Sequence, residues 1–191
     1  MKQKRKNIFK ESINNFKDVR CVVLCAMFLA LAVTSELYAQ QIDIPKISFS
    51  FMMFGAVGYL FGPAVGFMFG AATDILCFIV NPGVGAFTPL LTLVAALAGM
   101  SYGLVLYRGS IREVREPLPL WRVLVAHTVN NMFFNLILNT ASISILYGKG
   151  FFAMLPLRLA KNFALLPFET IVMMFVIRVL EKALCRIKKE G

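Results

Sequence analysis

Apolar runs of helix length recur along the whole chain and leave few folds open to it. They cover Cys21 to about Tyr38, Ile47 to Leu60, Ala64 to Val80, Thr88 to Tyr107, Leu120 to Tyr147 and Phe152 to Leu184. About 20 apolar residues cross a bilayer as a helix. Hydrophobic residues make up 59% of the 191-residue chain, where a soluble domain holds roughly 45–50%. The expected fold is all-α, a polytopic membrane protein with six transmembrane helices in a compact bundle. Residues 20–185 would form that domain, with a basic cytoplasmic arm at 1–19 and a basic cytoplasmic tail at 186–191.

The net charge of +10, from 20 Lys and Arg against 10 Asp and Glu, raises the question of nucleic acid. Its placement answers that question. Sixteen of the 20 basic residues fall in the arm, in the connector from Arg108 to Arg122, and from Arg178 onward. Inside loops of membrane proteins carry such an excess. The expectation is therefore a multi-pass protein of the cell membrane, both termini cytoplasmic, with the lipid bilayer and not nucleic acid as its surroundings. Part of the arm, through Ile8, Phe9, Ile13 and Phe16, has the pattern of an amphipathic surface helix. A cleaved signal peptide is the competing reading; the long arm and the helix-length run favour an uncleaved first span. Cys21, Cys25, Cys77 and Cys185 show no metal-ligand spacing and read as small packing residues.

Four basic residues remain on the outer side: Lys46, Lys149, Arg158 and Lys161. Arg158 and Lys161 lie inside the sixth apolar run, and a charge at membrane depth costs roughly 3 kcal/mol or more. Such charges face a partner, a cavity or a ligand. Asp74 and Glu169 are one set of candidate partners. On the fifth span Asn131, Asn135, Asn139 and Ser142 fall within an arc of about 80° at helical pitch. They read either as interhelical hydrogen bonds or as a pocket wall offering donors and acceptors. Asn162 shares the face of Lys161. Gly66, Gly70 and Asp74 share a face of the third span, with close packing the plain reading of the glycines. The loop Asn81-Pro82-Gly83 to Pro89 suits a cover over a cavity. Ala26 and Ala30, four apart, allow another helix to approach. His127, the single histidine, reads as a packed interior residue.

No phosphate-binding Gly-x-x-x-x-Gly-Lys-Ser/Thr loop occurs, nor His-Glu-x-x-His, nor Gly-x-Ser-x-Gly. The chain is expected to use no ATP itself, hold no cofactor or metal, and carry no catalytic residue.

Ser144-Ile-Leu-Tyr-Gly-Lys149, Leu155-Pro-Leu-Arg158, Lys161-Asn162 and Leu166-Pro167 resemble the folate-specific S components of energy-coupling factor (ECF) transporters. So do Ile47-Ser48-Phe49, Phe61-Gly62-Pro63, Asp74-Ile75, Pro82-Gly83, Thr92-Leu93 and Tyr102-Gly103, over about residues 20–185. The resemblance implies a six-helix subunit that captures a vitamin from outside and docks to a separate transmembrane coupling protein with two ATPases. It implies Ala26 and Ala30 as the docking site for the coupling protein. Folate carries glutamate carboxylates and a pterin edge. Lys161 and Arg158 are expected to take the carboxylates, and Asn135, Asn139, Asn162, Asp74, Asn81 and Gly83 to form ring site and lid. The chain departs from the family pattern at Ser142, where a Trp is expected. Another anionic vitamin, such as pantothenate, stays open as the ligand. A membrane enzyme using Asp74, Glu169 and His127, or a structural assembly protein, are the readings from other classes.

Overall fold

A computed structural model describes residues 8–41, 49–82, 87–107, 118–147 and 151–190. Every regular element in them is helical: α1 (Ile8–Asn15), α2 (Val19–Gln41), α3 (Ser50–Phe61), α4 (Pro63–Val80), α5 (Pro89–Leu106), α6 (Leu120–Val129), a π-helical stretch (Asn130–Asn139), α7 (Thr140–Tyr147) and α8 (Phe151–Glu190). The π-helical stretch joins α6 and α7 into one rod. Among the described residues, α2, α4, α5 and α8 contain segments long and apolar enough to cross a membrane. α3 is shorter, and asparagines dilute the α6–α7 rod. Large apolar side chains such as Met27, Leu31, Ile79, Leu93 and Phe175 point outward, as helices in hydrocarbon require.

The break between α3 and α4 follows from Gly62-Pro63. Gly62 has φ +91°, a left-handed conformation that glycine adopts without a Cβ penalty. Pro63 then opens α4, where its missing N–H costs nothing. Pro156 and Pro167 sit inside α8, which continues through both. α8 also runs on to Glu190, so most of the expected tail extends the last helix.

α4 and α5 approach most closely, through small residues. A Cβ added at Gly66 would land on the carbonyl of Gly99, and one added at Gly99 on the carbonyl of Gly66. Lipid tails are as apolar as side chains, so close contact rather than water exclusion holds such helices together. Further along α4, on the face of Gly66 and Gly70, Asp74 accepts a 2.6 Å hydrogen bond from the Thr92 hydroxyl of α5.

α1 is the amphipathic helix that the arm's pattern foretold, and it locks onto the α3–α4 break. Ser12 is fully buried. Its hydroxyl donates to the Phe61 carbonyl at 2.8 Å and accepts from the N–H groups of Ala64 and Val65 at 3.0 and 3.2 Å. A residue from outside α4 thus caps its first turn and uses every hydrogen-bonding position a hydroxyl has. Ser12→Ala is expected to cost about 1–2 kcal/mol. It should lower the melting temperature of the purified chain and leave ligand affinity unchanged; an unshifted melting temperature would show that the cap is idle.

Candidate functional site

The helices enclose a cavity of about 390 Å³, within the range of small-molecule sites, roughly 300–1,000 Å³. At one end lie Glu36, Ser50, Asp74, Cys77, Asn139 and Lys161; at the other lie Tyr102, His127, Asn131 and Glu169. Along α8, Lys161 and Glu169 are separated by about 12 Å at 1.5 Å per residue. Phe51, Phe54 and Phe134 line the cavity.

Five expected site residues meet here: Lys161, Asn135, Asn139, Asp74 and Asn162. Arg158 does not line the cavity; its guanidinium donates to the Thr140 hydroxyl at 3.3 Å. Asn81 ends α4, its N–H bonded to the Cys77 carbonyl, and also lies outside the lining. Gly83 lies outside the described residues. Ala26 and Ala30 are exposed on α2, far along the chain from the lining residue Glu36.

Asp74 is held by Thr92, and Glu169 by His127 and Asn131. Glu36 accepts from the Ser50 hydroxyl. Arg158 bonds Thr140 rather than Asp74 or Glu169.

The π-helical stretch changes which asparagines face inward. Bonds from i to i+5 widen the turn, a device concentrated at functional sites. Neighbouring Asn130 and Asn131 both reach the cavity, at the start of the widened stretch. Ser142 instead turns away, buried and bonded to the Leu138 carbonyl at 2.8 Å. Position 142 is therefore not a wall of the cavity in this chain.

His127 is the packed interior residue that its surroundings in the sequence suggest, and it is part of the cavity wall as well. It is 2% exposed, yet lines the cavity with both ring nitrogens engaged. Nδ1 lies 3.1 Å from the Tyr102 hydroxyl and Nε2 3.1 Å from Glu169 Oε2. Asn131 Nδ2 donates to the same Oε2 at 3.0 Å. Asn131 Oδ1 is buried with no hydrogen-bond partner among the described residues, a state that costs about 1–3 kcal/mol until something donates to it. Spacing alone could not reveal this group, because Tyr102, His127, Asn131 and Glu169 come from three separate rods.

Residues 20–177 match the family described as ECF transporter, substrate-specific component. The chain belongs to that family. It is thus the substrate-specific component of a transporter. It is similar to the folate transporter FolT of Clostridium novyi, 28% identical over 157 residues, which span 82% of this chain and 87% of the relative. It is also similar to FolT of Leuconostoc mesenteroides, 25% identical over 166 residues, spanning 84% of this chain and 85% of that one. A crystal structure of FolT bound with folic acid superposes with a TM-score of 0.72 at 27% identity, covering 84% of this chain and 94% of the other. This S component therefore shares both fold and sequence with proteins named for folate.

Proposed function

We propose that this S component captures folate from the outer face of the cell membrane and delivers it to a separate coupling module. The observation that carries the reading is the polarised cavity: an ammonium, Lys161, at one end, and amides and aromatic rings toward the other. A molecule with carboxylates on one end and a flat polar ring on the other matches that order. Lys161 takes one carboxylate. Arg158, three residues nearer the start of α8, takes the second where the tail leaves the cavity. Asp74 and Asn139 flank the carboxylates at the Lys161 end, with Asn135 and Asn162 lining the cavity beside them.

Six rods cross the membrane in this reading: α2, α3, α4, α5, the α6–α7 rod and α8. Both termini are then cytoplasmic, with arm 1–19 and tail 186–191 on the inner side, and the Lys161 end opens outward. Titration of the purified chain with folate and with pantothenate tests the ligand. Tight stoichiometric binding of folate, without turnover, is the expected result. Pantothenate binding in place of folate would replace the ligand assignment.

A transmembrane coupling protein and two ATPases supply the energy, docking on the exposed small-residue face of Ala26 and Ala30. Ala26→Trp with Ala30→Trp is expected to abolish co-purification with the coupling module while leaving folate affinity within about twofold, because both side chains point away from the cavity. Retained co-purification would move the docking face elsewhere.

A further inference from the structure

The inner end of the cavity holds a relay that the carboxylate site does not use. A carboxylate only accepts, so His127 Nε2 carries the proton toward Glu169 and Nδ1 accepts from the Tyr102 hydroxyl. The Asn131 amide is oriented by the same charge, since turning it over would set its oxygen against Glu169. Both bonds to Glu169 end on Oε2, and no described residue bonds Oε1. Asn131 Oδ1 is also unpartnered, but it is sealed off within the packed side chains. Glu169 Oε1 is therefore the open acceptor of the pair, and both residues line the cavity. Phe51, Phe54 and Phe134 supply apolar surface nearby.

An open carboxylate oxygen on an aromatic-lined floor suits a flat ring that carries N–H donors on its edge. The 2-amino-4-oxo pyrimidine edge of a pterin is such a ring, with N3–H beside the exocyclic amino group. We propose that Glu169 Oε1 reads this amino-lactam edge, and that Asn131, His127 and Tyr102 are positioning residues that hold the carboxylate for it. The assignment rests on the folate reading and deepens it. It makes the floor, rather than the cationic mouth, the part of the site that distinguishes a pterin from other carboxylate-bearing molecules. His127 and Tyr102 act behind the carboxylate, so their removal loosens its aim without removing a contact.

The test is competition binding to the purified full-length chain with three probes. They are folate, its 2-desamino analogue, and 4-aminobenzoylglutamate, which keeps the carboxylates and lacks the ring. The wild-type chain should prefer folate over the desamino analogue by on the order of 10- to 100-fold, the usual weight of a hydrogen bond to a charged group. Glu169→Gln should erase most of that preference while binding of 4-aminobenzoylglutamate stays within about twofold. Should Glu169→Gln fail to bind even the ring-free probe, Tyr102→Phe decides. It should shrink the folate-to-desamino ratio several-fold with the ring-free probe unaffected, whereas a purely structural tyrosine would lower stability and leave the ratio alone. An unchanged ratio in a variant that still binds the ring-free probe overturns the floor assignment and spares the folate reading. A wild-type chain that binds none of the three overturns the folate reading itself.

Discussion

Gly66→Leu is expected to leave almost no folded chain. At this position the Cβ meets not a side chain but the Gly99 carbonyl, with the next backbone amide close behind. Backbone cannot rotate aside, so α4 and α5 must separate along their length. Overpacking that side chains can absorb costs about 1–3 kcal/mol; here the cost should exceed about 3 kcal/mol, a large share of the stability of any domain. The 2.6 Å Thr92–Asp74 bond lies further along the same seam and would open with it. Gly55 is the control. A Cβ there meets only the sulfur and terminal methyl of Met173, the far end of a flexible side chain. Gly55→Ala should therefore cost about 1 kcal/mol or less. Melting temperature and yield of monodisperse protein in detergent measure both. Equal behaviour of the two variants would mean the α4–α5 seam is not close-packed.

Lys161→Ala should carry the largest effect on ligand capture. The lining holds three carboxylates, Glu36, Asp74 and Glu169, against the ammonium of Lys161. Each acid already has neutral partners: Ser50, Thr92, and His127 with Asn131. Lys161 is the one ammonium among the described lining residues, at the end it shares with Glu36 and Asp74. A hydrogen bond between charged groups contributes about 1.5–3 kcal/mol, and a carboxylate left without a partner beside other acids loses more. Folate affinity should fall by about 100-fold or more. Lys161→Arg should recover part of it, because the charge returns with a different shape. Arg158→Ala should lose less, about 3- to 10-fold, since that guanidinium rests on Thr140 outside the lining. Titration of the three variants separates these outcomes. Full affinity in Lys161→Ala would remove the cation from the site.

Composition made the membrane class plain, and periodicity located the rods within a few residues. Gly62-Pro63 marked a real break because a left-handed glycine and a helix-starting proline act locally. Lys161, Asn135, Asn139, Asp74 and Asn162 could be singled out because a polar group in an apolar helix is expensive wherever it points. Direction was a different matter. Arg158 shares the helix of Lys161 but finds Thr140 instead of the cavity. Asn130 enters the site beside Asn131, at the start of a π-helical stretch that no sequence pattern announced. His127 looks like any lone packed histidine until Tyr102 and Glu169 are seen on either side of it.

Sequence alone determined that this chain lives in lipid, that it is all helix, and that certain charges needed a destination, because hydrophobicity and turn chemistry act within one segment. Tertiary structure decided which polar groups meet. The Ser12 cap, the Gly66–Gly99 seam and the Tyr102–His127–Glu169 relay each join residues far apart in the chain. Their energies depend on distances of about 3 Å between separate rods, and a one-dimensional pattern holds no record of how two rods are turned toward each other.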